Sequence, residues 1–101
     1  MVKLVALYRK PADVEAFDRA YFETHVPLVN QVPGLQRVEI SRIFGGPLGE
    51  PDFYLMCEMY FADQETLDRA MASPENAAAG KNLMGFAGGL VSLMFARDVN
   101  L

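Results

Sequence analysis

Tryptophan is absent from this chain of 101 residues, and histidine and cysteine occur once each. A lone Cys57 cannot close an internal disulfide, so the fold must rest on its core, and a reducing, cytoplasmic setting is expected. One histidine and one cysteine cannot supply an ordinary four-ligand zinc site, although carboxylates could hold a harder ion weakly. No metal or other cofactor is expected. Basic residues are few as well: nine Lys and Arg face thirteen Asp and Glu, for a net charge of −4. That balance excludes the basic stripe with which proteins displace counterions from nucleic acid. No apolar run approaches the ~20 residues that span a bilayer, so no membrane association is expected. The opening MVKLVALYRKPADVE has too short an apolar run, and no small-residue cleavage site, for a signal peptide.

What remains is the composition of a folded globule, 51% hydrophobic and 22% charged. A single domain over residues 1–101 is expected, since cores of this size sustain themselves without metals or disulfides.

The hydrophobic pattern divides this domain into six elements. Val2 to Arg9 is rich in Val, Leu and Tyr and reads as a strand ended by Lys10-Pro11. Asp13 can cap a helix whose Val14, Phe17, Tyr21, His25 and Leu28 recur at spacings of three or four, forming one stripe. Pro27 predicts a kink or restart at Val26, and Pro33-Gly34 a turn. Leu35 to Phe44 reads as a second strand, followed by a Gly- and Pro-rich loop. Phe53 to Phe61 reads as a third, almost wholly apolar strand. Asp63 and then Ser73-Pro74 cap two successive helical pieces, ended by Gly88-Gly89, and Leu90 to Arg97 reads as the last strand.

The order β-α-β-β-α-β predicts an α+β, ferredoxin-like fold, a four-stranded antiparallel sheet with its helices on one face. Its last two strands are apolar on both sides, with Val91, Leu93 and Phe95 opposite Leu90 and Met94. An apolar bare face predicts a partner, most simply a second copy of the chain.

The run Tyr21-Phe22-Glu23-Thr24-His25-Val26-Pro27-Leu28, followed by Pro33-Gly34-Leu35, resembles the signature of the EthD family, named for ethyl tert-butyl ether degradation. That family sits in the dimeric α/β-barrel superfamily with muconolactone isomerases, antibiotic-biosynthesis monooxygenases and haem-binding relatives. The resemblance implies a homodimer with sheets face to face and a pocket between sheet and helices in each subunit. It implies little about chemistry.

His25 can exchange a proton near neutral pH, which suits acid–base work, or it can serve structurally by bonding a carbonyl freed by Pro27. On the residues the structural reading leads, and the resemblance, in which this histidine is a signature residue, brings the two level. Tyr21 lies four residues earlier on the same face and is its candidate catalytic partner. Tyr8, at the end of the first strand, and Tyr54, Met56 and Glu58, on one face of the third by period two, are candidate substrate-binding residues. Glu58 either faces solvent or an interface, or is an acid in the pocket. Cys57 reads as a small buried hydrophobe. Two functions compete: a cofactor-independent enzyme on a small apolar or aromatic carbonyl compound, and a module that binds such a ligand without reacting.

Overall fold

The structure is a computed structural model describing residues 1–101. Its elements run β1 (Val2–Arg9), α1 (Val14–Arg19), a π-helical stretch (Ala20–His25), α2 (Val26–Val29), β2 (Arg37–Arg42), β3 (Phe53–Phe61), α3 (Gln64–Met71), α4 (Pro74–Ala87) and β4 (Val91–Arg97). The four strands form one sheet in the order β2-β3-β1-β4, antiparallel at every pairing. This is the ferredoxin-like arrangement, and its central strands β1 and β3 are the apolar ones, as burial on both sides of a ladder requires.

Register fixes which side chains share a face. Ala6 pairs with Cys57 on one side and Leu93 on the other, and Leu4 pairs with Met59 and Phe95. With Val2, Tyr8, Leu55 and Phe61 they make up the helix-facing surface of the sheet. Tyr8, Tyr21, Phe61, Leu55 and Leu67 are the largest fully buried side chains. Each contributes about 1.5–3 kcal/mol through the apolar area it removes from water.

Capping sets the helix starts. Asp13 Oδ1 accepts from the Ala16 N–H at 3.0 Å, Asp63 Oδ1 from Thr66 N–H at 2.8 Å, and Ser73 Oγ from Asn76 N–H at 3.1 Å. Pro74 occupies the first turn of α4, where a missing N–H costs nothing. Gly34 has φ +78°, a conformation that favours glycine, and packs against Thr66.

Two expectations need correction. β2 is shorter than the alternation suggested, Arg37–Arg42, and Phe44 lies beyond it, 99% exposed in the loop to β3. A ladder continues only while a partner's backbone is opposite; β3 pairs with β2 as far as Leu55–Arg42, and the Ile43 N–H bond to Tyr54 O at 2.9 Å is the last between them. The bare face of the sheet is also not uniformly apolar. Toward β2 it carries Arg37, Glu39, Glu58, Tyr60 and Lys3, joined by ion pairs and hydrogen bonds. No helix is long and apolar enough to cross a membrane.

Candidate functional site

Phe17, Tyr21, His25 and Val29 are all buried, at a constant spacing of four. On a regular α-helix each such step overshoots the turn by about 40°, so the three steps would spiral off one face. The π-helical stretch absorbs this drift. Val26 N–H donates to Tyr21 O, five residues back, and the wider turn brings His25 under Tyr21. The break expected at Pro27 is therefore a widening: the helix runs on to Val29, with Pro27 in the first turn of α2, where its missing N–H is tolerated.

His25 reaches the wall of a cavity of about 230 Å³ between the sheet and α4. Of the fifteen lining residues twelve are hydrophobic and none is charged, counting His25 as neutral. Sheet residues Tyr8, Cys57 and Met59 form one wall and Ala79 and Leu83 of α4 the other, while Leu93 and Phe95 of β4 line the edge. The imidazole is 4% exposed and lies edge-on to Phe86, with ring centres 5.8 Å apart.

Its Nδ1 sits 3.0 Å from Asn82 Oδ1. A carbonyl oxygen only accepts, so Nδ1 carries the proton and Nε2 keeps its lone pair. Nε2 has no protein partner, yet no buried side-chain nitrogen or oxygen is sealed without one. Nε2 is therefore not sealed off, and His25 is one of the residues that line the cavity. Burial lowers the imidazole's pKa below the usual 6.5, opposed by the Asn82 bond, which holds it up. The ring is neutral at neutral pH.

Behind it, Tyr21 stacks edge-on to Tyr8 at 5.3 Å between ring centres. Burial pushes both phenols far above their ordinary value, with the Cys57 thiol a further cause for each; Tyr8 adds to the rise of Tyr21, while the Tyr21 hydrogen bond holds Tyr8 down. Burial likewise raises Cys57, partly offset by Tyr21. These groups stay protonated and can donate but not act as bases.

The residues singled out from sequence are only partly brought together. Tyr8 lines the cavity with His25, and Tyr21 stands one turn away in the layer behind. Tyr54 does not reach it. A bulge in β3, where Tyr54 is the extra residue opposite the Tyr8–Arg9 step of β1, turns Tyr54 toward α1, where its hydroxyl donates to Asp18 at 2.8 Å and meets the Arg42 guanidinium. Met56 and Glu58 face the opposite side of the sheet, since their register partners are Leu7 and Val5. Cys57 and Met59 take the cavity side of β3 instead. Asn82 went unrecognised; its signal is a polar side chain one residue before the buried Leu83. No three His, Cys, Asp or Glu side chains group as metal ligands.

An EthD-domain model matches residues 9–89. The chain belongs to the EthD family. An EthD family protein of Bacillus halodurans, solved by crystallography, is 52% identical over 98% of this chain and 99% of its own, with a TM-score of 0.94. An uncharacterised 11.0 kDa protein from the thcB-thcC intergenic region of Rhodococcus erythropolis is 34% identical over 97% of this chain and 95% of its own. More distant likenesses show the fold alone. SnoaB, a cofactor-independent oxygenase from Streptomyces nogalater, is 15% identical over 99% of this chain and 94% of its own, with a TM-score of 0.70. A dimeric ferredoxin-like protein from Jannaschia is 14% identical over 97% and 100%, with a TM-score of 0.71. In this EthD chain the signature His-x-Pro-Leu is the segment that leaves the π-helical stretch and carries the cavity's imidazole.

Proposed function

We propose that this EthD protein is a cofactor-independent enzyme acting on a small apolar or aromatic carbonyl compound, with His25 as its proton acceptor. The observation that carries the reading is the pairing of His25 Nδ1 with Asn82, which leaves Nε2 an unpaired base on a residue that lines an apolar cavity. A C–H bond next to a carbonyl would break with its proton passing to Nε2 and its electrons into an enolate. Tyr8, a phenol that stays protonated, is the donor available to the developing oxyanion. Isomerisation, dehydration and oxygenation of an activated substrate begin from such a step, and decarboxylation reaches the same enolate by losing CO2 in place of the proton. A fold neighbour that is a cofactor-independent oxygenase is in keeping with this chemistry.

Exchange of α-protons for deuterium in acetophenone, followed by proton NMR, tests the reading. The wild-type chain should accelerate exchange and His25→Ala should not. The competing reading is a carrier that binds without reacting, favoured by the apolar character of twelve of the fifteen lining residues. Ligand binding with no exchange in any carbonyl probe would select it.

We also infer a homodimer, in the reducing cytoplasm that a single buried cysteine suits. On edge strand β4, Leu93 and Phe95 on the helix side and Met94 on the bare side are 48%, 62% and 41% exposed, an apolar sheet edge that a second copy would cover. An obligate interface upward of ~1,500 Å² is expected. Light scattering that returns the mass of a single chain at micromolar concentration would refute it.

A further inference from the structure

The same cavity also constrains what enters it, and the following rests on the reading of that cavity as the ligand site. We infer that its ligand is a neutral, single-ring compound that presents a hydroxyl group, a phenol or an enol, to His25 Nε2. Three observations lead there.

Size comes first. An apolar cavity of ~150 Å³ accommodates benzene, so about 230 Å³ has room for one ring with a substituent. Charge comes next. No Lys, Arg, Asp or Glu lines the space, so a carboxylate, phosphate or ammonium would lose its hydration with nothing to pair it.

The third is the direction of the hydrogen bond. With Nδ1–H committed to Asn82, the imidazole offers the cavity an acceptor only. Asn76, the other nitrogen-bearing side chain in the wall, has its amide nitrogen turned to Met71 O at 3.3 Å. A ligand with only a carbonyl can take the Tyr8 O–H but leaves the Nε2 lone pair unmatched. One carrying O–H donates to it, and a carbonyl compound does so in its enol form.

The test compares phenol and toluene, which have the same number of heavy atoms, with benzoate, on the full-length chain. His25 is the sole histidine, so its ring nitrogens give one assignable pair of ¹⁵N signals. At neutral pH the free protein should show the Nδ1-protonated tautomer. Phenol should move the Nε2 signal and leave Nδ1 in place, toluene should bind without moving Nε2, and benzoate should bind at least about tenfold more weakly than phenol. In Asn82→Leu the Nε2 response to phenol should fade while toluene binding persists. A free protein with Nε2 protonated, an equal Nε2 response to toluene, benzoate binding as tightly as phenol, or no binding of either neutral probe would each overturn the inference. None of these probes turns over. Loss of acetophenone exchange with the phenol response intact would therefore remove catalysis alone, and exchange without that response would remove this ligand class alone.

Discussion

Lys3 Nζ lies 2.7 Å from Glu58 Oε2, on the face of the sheet turned away from the cavity. Tyr60 stands 3.4 Å from the same carboxylate oxygen and donates to Glu39 at 3.0 Å. A sheet one residue thick thus separates a polar network from an apolar chamber, with Cys57 and Glu58 as neighbours on opposite sides.

Glu58→Gln should therefore weaken the fold without touching the cavity. Both partners are partly solvated, so the loss should be about 1 kcal/mol, read as a lower Tm, with toluene and phenol binding unchanged. The Glu58 hydrogen bond raises Lys3 above its ordinary 10.5. Folded Lys3 holds its proton more tightly than the unfolded chain does. The stabilisation is complete below pH 10.5 and is lost as pH rises through the folded value. A Tm difference between wild type and Glu58→Gln that stays constant through that range would contradict this.

His25 has the opposite sign. Its folded pKa is depressed, chiefly by burial, so below pH 6.5 the unfolded chain takes up a proton that the folded one resists. Tm should fall as pH drops from 6.5 toward 5, before most carboxylates titrate. His25→Gln should lose that slope. The chain has no other histidine to confuse the comparison.

Asn82 sets where His25 titrates. Its bond raises the imidazole against the larger effect of burial, so Asn82→Ala should lower the midpoint further and cost about 1 kcal/mol of stability. Asn82→Asp puts a carboxylate beside the ring and should raise the midpoint. An NMR titration giving the order Ala, Asn, Asp from low to high supports the assignment, and an unchanged midpoint in all three defeats it.

Gly34→Ala should destabilise by about 1–3 kcal/mol, because φ is +78° and the added carbon would stand 2.5 Å from Thr66 Cγ2. Gly49→Ala, at φ +116° with nothing within 4 Å, keeps the backbone strain without the clash. Denaturant midpoints should fall more for Gly34→Ala.

The element order was legible because caps and periodicity agreed: Asp13, Asp63 and Ser73 each accept from the backbone N–H three residues on. His25 and Tyr8 were legible too, one from its stripe and one from its place at the end of β1. The face of β3 was not. Leu55, Cys57, Met59 and Phe61 alternate with Tyr54, Met56, Glu58 and Tyr60, and both sets are largely apolar. Alternation says which residues travel together and is silent on which set meets the helices. That set was decided by pairing with β1, whose small Ala6 leaves room beside Cys57. Asn82 was hidden for a related reason: its partner lies 57 positions away, and no local pattern links them.

Pro27 and the spacing of four between Tyr21 and His25 form a single unit of sequence change. The wide turn holds one residue more than a regular helix needs there. Deleting exposed Glu23 would leave buried positions at steps of four, three and four, the ordinary α-helical stripe. The proline would then sit inside an uninterrupted helix, its ring against the carbonyl four residues back. A homologue one residue shorter in this segment should accordingly have lost the proline as well, and one that keeps the proline should keep the extra residue.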